Sequence, residues 1–97
     1  MPSIAVLGTY TEQGVKNAKD IPQRVAAAKE AIRAVGGRMI FFYLTMGEYD
    51  FVSVIEVPDA ATGARVALQL AAQGNIRTKS MYAFTEEETA ALVGGLT

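Results

Sequence analysis

The chain has 97 residues, with nine lysines and arginines against ten aspartates and glutamates, and no cysteine, histidine or tryptophan. That length supports one domain, expected over residues 1–97, with a single modest core. Disulfides are excluded, the usual zinc, haem and iron–sulfur ligands are missing, and Ser–His or Cys–His nucleophilic pairs cannot be assembled from the chain's own residues. A formal net charge of -1 with scattered basic residues gives no pull toward a phosphate backbone, so nucleic acid is not an expected partner. Apolar residues make up 51%, high for a small domain, and part of that surface is expected to meet another subunit. No apolar run approaches the roughly 20 residues that span a bilayer, and Met1-Pro2-Ser3 lacks the basic start of an export leader. The expectation is a cytoplasmic protein with no cofactor and no membrane partner.

Ser3 to Tyr10 (SIAVLGTY) reads as the first strand, followed by one irregular helical turn from Val15 to Lys19. Asp20 and Pro22 are helix-start residues, and Ile21, Val25, Ala28, Ile32 and Val35 recur at helical spacing, with Gly36-Gly37 as a left-handed stop. Arg38 to Thr45 (RMIFFYLT) is an almost continuously apolar strand, so both of its faces are expected to be covered. Met46-Gly47-Glu48-Tyr49 reads as a two-residue hairpin in which Gly47 takes positive φ. The third strand, Asp50 to Val57, then pairs Leu44 with Phe51, Phe42 with Ser53 and Ile40 with Ile55 on one face. The other face pairs Tyr43 with Val52, Phe41 with Val54 and Met39 with Glu56. Pro58-Asp59 opens a second long helix, Ala60 to Gln73, with Ala64, Ala67, Leu68 and Ala71 as its stripe and Gly63 loosening its first turn. Ile76 to Phe84 alternates as a fourth strand, with Arg77 and Lys79 opposite Ile76 and Thr78, and Thr85-Glu86-Glu87-Glu88 is a capping box for a short terminal helix.

The order β-α-β-β-α-β predicts an α+β, ferredoxin-like fold: a four-stranded antiparallel sheet with both long helices on one face. The bare face is then too apolar for a monomer, and packing it against a second copy gives a homodimer. Strand directions bring the end of the first strand, the hairpin and the start of the fourth strand to one rim. Tyr10, Thr11, Glu48, Tyr49, Asp50, Asn75 and Arg77 gather there, at the mouth of an apolar interior, where a small-molecule site is expected.

Those same residues carry a resemblance. Gly47-Glu48-Tyr49-Asp50 within YLTMGEYDFV, Val57-Pro58-Asp59, Gly74-Asn75-Ile76-Arg77-Thr78 and Ala83-Phe84-Thr85-Glu86-Glu87 resemble the GYD domain family. The resemblance extends to Tyr10–Gly14 (YTEQG), Val15-Lys16-Asn17 and Asp20, and so covers almost the whole chain. It implies a dimeric α+β barrel from a group of small bacterial and archaeal proteins to which no biochemical activity is assigned.

The chemistry of the rim stays open between two readings. Tyr49 and Asp50 are either a phenol and a proton-accepting carboxylate at a site, or residues that pack and hydrogen-bond within the hairpin. Arg77 either holds an anionic ligand or pairs with Asp50 or Glu48. Glu56, placed on the face of Phe41 and Val54, is either a general base in an apolar space or a strand-end carboxylate paired with Lys79 or Arg38. Two functions follow. One is a homo-oligomeric binding or interaction module, with Tyr10, Glu48, Tyr49 and Arg77 as ligand contacts. The other is a cofactor-independent monooxygenase or isomerase, with Glu56 or Asp50 as the catalytic proton acceptor. Without a cavity of roughly 300 Å³ or more between sheet and helices, or between paired sheets, the enzyme reading loses its substrate site and the interaction reading stands.

Overall fold

The computed structural model describes residues 1–97, and its elements follow the order expected from the sequence. Strand β1 (Ser3–Tyr10) leads through the short helix α1 (Glu12–Lys16) and a 3-10 turn at Ala18–Asp20 into α2 (Ile21–Ala34). Then come β2 (Arg38–Leu44), β3 (Phe51–Glu56), α3 (Ala60–Ala72), β4 (Ile76–Ala83) and α4 (Glu86–Gly94). The strands form one antiparallel sheet in the order β2-β3-β1-β4, so β1 and β3 are central and β2 and β4 are edges. Both long helices cover the same face. This is the ferredoxin-like arrangement.

Local chemistry explains the helix boundaries. Thr62 N donates to Asp59 Oδ1 at 2.7 Å to start α3, and Thr85 and Glu88 exchange reciprocal bonds to start α4. Asp20 occupies the cap position of α2 without making a side-chain cap bond, so the early proline carries that start instead. Gly36 and Gly74, with φ of 87° and 84°, end α2 and α3 in the left-handed region.

Three expectations about registry and facing are corrected. The β2–β3 connection is a four-residue loop, Met46 to Tyr49, closed by Thr45 N donating to Asp50 O at 2.8 Å. Gly47 does take positive φ (117°), but Thr45 Oγ1 donates to Tyr49 O, and that bond replaces the expected Met46–Tyr49 rung. Second, the pairing holds from Leu44–Phe51 through Phe41–Val54 and is then broken by a bulge at Ile40. Met39 therefore faces Ile55, and Arg38 faces Glu56, one residue out of the expected register. Third, α3 turns Gly63, Val66, Ala67 and Leu70 inward, while Leu68 stands 70% exposed. The first turn of α3 is regular at Gly63, because the glycine lets the helix lie on the sheet: a Cβ there would come 2.8 Å from Ile4 Cδ1.

The tightly packed core is small. Ile32, Ile55, Val57 and Val66 are buried together, with Ile4, Met39 and Leu70 against them. This cluster sits where β1 begins and β3 ends. The space beside this cluster, between the helices and the sheet, extends along β1 from Ile4 to Tyr10.

Candidate functional site

Alternation along the central strands decides what each face can do. Ile4, Val6, Gly8 and Tyr10 of β1 lie opposite Ile55, Ser53 and Phe51 of β3 and Tyr82, Ser80, Thr78 and Ile76 of β4, all on the helix-covered face. Between these strands and α2 and α3 lies a cavity of about 340 Å³ lined by 26 residues, 19 of them hydrophobic. Its volume exceeds the roughly 300 Å³ below which the enzyme reading would lose its substrate site, and it suits a small ligand.

Phe51 forms the wall near the mouth. Its ring lies over Gly8, where a Cβ would come 1.9 Å from Phe51 Cζ, so glycine at position 8 is what lets the ring lie flat. Tyr10 and Phe42 flank it with ring centroids at 5.5 and 5.3 Å, separations typical of favourable aromatic pairs. Ser53, buried behind them, donates its hydroxyl to Phe41 O at 2.6 Å, so the wall carries no unsatisfied polar group.

The mouth is polar. Tyr10, Arg24, Gln73, Asn75 and Thr78 line this end, and the surrounding chain is tied down by hydrogen bonds. Thr11 N donates to Asn75 O at 3.0 Å, Thr11 Oγ1 to Gly74 O at 2.5 Å, and Gln13 Nε2 to Asn75 Oδ1 at 3.0 Å. Arg24 reaches back from α2 to donate to Asn17 O at 3.0 Å and Gly14 O at 3.3 Å. Burial raises the Tyr10 phenol above its ordinary 10.0; the nearby Arg24 cation opposes the shift and the Asp50 carboxylate adds to it.

The residues expected at one rim are divided between the two faces. Tyr10 looks into the cavity. Asp50 stands at the divide, its carboxylate accepting from Tyr10 N at 2.9 Å while its own N–H donates to Gly8 O at 2.8 Å. Glu48, Tyr49 and Arg77 lie beyond it on the open face, where they line a shallower groove of about 230 Å³ with Leu7, Thr9 and Lys79. The Lys79 ammonium sits 5.7 Å from the Tyr49 ring centre. Glu56 is at the far end of the same face, accepting from Arg38 Nε at 2.7 Å, with the two side chains 21% and 69% exposed. The sheet itself thus separates Tyr10 from Glu48, Tyr49, Arg77 and Glu56. Arg24 is the cavity-lining cation the sequence reading missed, although its position, three after Ile21 and four before Ala28, puts an arginine inside an apolar stripe.

A ferredoxin-like α+β fold with an apolar cavity between helices and sheet defines the class. The chain belongs to the GYD domain family, which matches residues 5–93. It is 38% identical over 84 residues to the glutamine synthetase and cystathionine beta-lyase binding protein of Thermus thermophilus, covering 86% of this chain and 88% of that one. Among solved structures, a Thermus thermophilus protein superposes with TM-score 0.56 at 24% identity over 88% of this chain and 95% of the other. The feast or famine regulatory protein of Mycobacterium tuberculosis, complexed with L-methionine, superposes with TM-score 0.66 at 20% identity over 88% of this chain and 51% of the other. The present chain spans about half the length of that regulator. These two structural likenesses concern the fold.

Proposed function

We propose that this protein is a cytoplasmic, homo-oligomeric binding module, whose helix-covered cavity takes a small, largely apolar molecule and whose exposed surfaces meet other proteins. The observation that carries the reading is the cavity itself: about 340 Å³, walled mostly by hydrophobic side chains, with its one charged side chain and its two amide side chains at the Tyr10 end. No helix is long and apolar enough to cross a membrane, and the reading invokes no cofactor. Protein partners are suggested by the Thermus relative, whose name records binding to two enzymes and which matches most of this chain. A second copy as partner is supported by the open face, where Phe41 and Tyr43 stack at 5.1 Å and Tyr43 stays 64% exposed.

A cofactor-independent monooxygenase or isomerase is the competing reading. It needs Asp50 or Glu56 to reach a substrate, yet neither carboxylate is among the residues lining the cavity, and each already accepts a hydrogen bond. Binding without chemistry therefore has the better support. Tyr10 contacts the ligand in this reading, and Glu48, Tyr49 and Arg77 form a separate surface groove.

The test uses the neutral fluorophore N-phenyl-1-naphthylamine, whose emission rises in an apolar pocket. Saturable enhancement is expected with the unaltered protein. Ala67→Phe, which fills the cavity from α3, should weaken it by at least about tenfold without lowering thermal stability. No saturable enhancement, or enhancement indifferent to both Ala67→Phe and Ala28→Phe, would overturn the reading.

A further inference from the structure

The cavity is asymmetric in charge as well as in polarity. Arg24 is its single charged lining residue, and no carboxylate lines it. The guanidinium spends donors on Asn17 O and Gly14 O, and with five N–H groups in a fixed fork it retains others for a ligand. Those two bonds also hold the fork in place at the mouth, which lowers the entropy cost of binding an anion there.

Polarity then falls away along β1. At the level of Tyr10 the neighbours are Arg24, Gln73 and Asn75; at Gly8, Thr78; at Val6, Ser53 and Ser80; at Ile4, Ile55 and Tyr82. Six residues of strand separate Tyr10 from Ile4, roughly 20 Å at about 3.3 Å per residue. The Tyr10 phenol lines this end of the cavity, and with an ordinary value of 10.0, raised further by burial, it can donate a hydrogen bond throughout the neutral pH range. A neutral apolar ligand would use the walls and leave the fork to solvent. An anion buried without a partner would be costly, and Arg24 removes that cost.

We propose that the ligand of this cavity is an amphiphilic monoanion, a small aliphatic or aromatic carboxylate, with its head on Arg24 and Tyr10 and its apolar body along Val6, Ile55 and Ile4. The proposal rests on the cavity-binding reading above and adds the chemical class. Arg24 and Tyr10 are binding residues here; nothing is asked of them chemically.

The experiment displaces N-phenyl-1-naphthylamine with octanoate and, separately, with octanol, which has the same chain and no charge. Octanoate should compete at lower concentration than octanol in the unaltered protein. Arg24→Gln should weaken octanoate by at least about tenfold and octanol by less than about twofold. Arg24→Lys should recover part of the octanoate affinity by keeping the charge, and Tyr10→Phe should weaken octanoate alone. These last two decide the matter if Arg24→Gln disturbs the loop it anchors. If octanol competes as well as octanoate, or the two weaken together in Arg24→Lys and Tyr10→Phe, the head-group assignment is wrong while the cavity remains a binding site. If the fluorophore itself does not bind, the cavity reading fails first.

Discussion

The two faces of one four-stranded sheet have opposite characters. The helix-covered face gathers Phe51, Ile55, Tyr10 and a single cation, Arg24, around an apolar space. The open face mixes Phe41, Tyr43, Val52 and Val54 with Arg38, Glu56, Arg77 and Lys79. Since alternate residues of the same strands supply both, the difference comes from strand parity and not from segregation along the chain. Chemistry that looks convergent when strand ends are counted can therefore be split by the sheet: Tyr10 and Tyr49 are near one rim yet serve different surfaces.

The contrast can be broken most severely from the inside. Ile32 is 1% exposed and belongs to the small core, so Ile32→Ala should cost about 2–5 kcal/mol in denaturant unfolding. Leu68→Ala, on the outward side of α3, should stay within about 0.5 kcal/mol. Comparable losses would mean that Leu68 is covered by something outside this chain.

The open face is sharpened next. If a second copy covers it, Tyr43→Asp should raise the dissociation constant for self-association by at least about tenfold in light scattering. An unaltered protein that is already monomeric when dilute, with its secondary structure intact, would remove the homo-oligomer from the proposed function.

Smaller effects test the electrostatics. Arg38 and Glu56 form a partly exposed pair, so Glu56→Gln should cost no more than about 1 kcal/mol, with less loss at high salt. Tyr10 gives a pH dependence with a defined sign. Its folded-state value is raised above the ordinary 10.0, so the folded protein holds the phenolic proton more tightly than the unfolded chain. The stability tied to that proton is fully present below the ordinary value and is lost as pH rises through the folded one. Unfolding curves on either side of about pH 10 should show the unaltered protein losing more stability than Tyr10→Phe; equal losses would contradict the burial of the phenol.

Much of this architecture is legible in the chain because local chemistry and global fold agree. The alternation of Ser3–Tyr10, the stops at Gly36 and Gly74 and the Thr85–Glu88 box give the observed element ends closely. The bulge at Ile40 is not legible, since RMIFFYLT is apolar at almost every position and a one-residue slip leaves no mark in its pattern. The α3 stripe is blurred for a related reason: alanines surround Val66, Leu68 and Leu70, so several helical faces look equally apolar. Leu44–Phe51 registry is readable across the hairpin, whereas the four-residue loop depends on the Thr45 hydroxyl reaching Tyr49 O, a tertiary detail. At the site, Tyr10 is readable from its place at a strand end. Arg24 is hidden because a lone arginine on a helix ordinarily belongs to the solvated side.

The most direct measurement is solution NMR of the isotope-labelled protein titrated with octanoate. Binding in the helix-covered cavity predicts saturable shifts at Tyr10, Val25, Ile55 and Ala67, with Phe41, Tyr43 and Val54 of the open face left nearly unmoved. Shifts confined to the open face, with the cavity residues silent, would contradict the account.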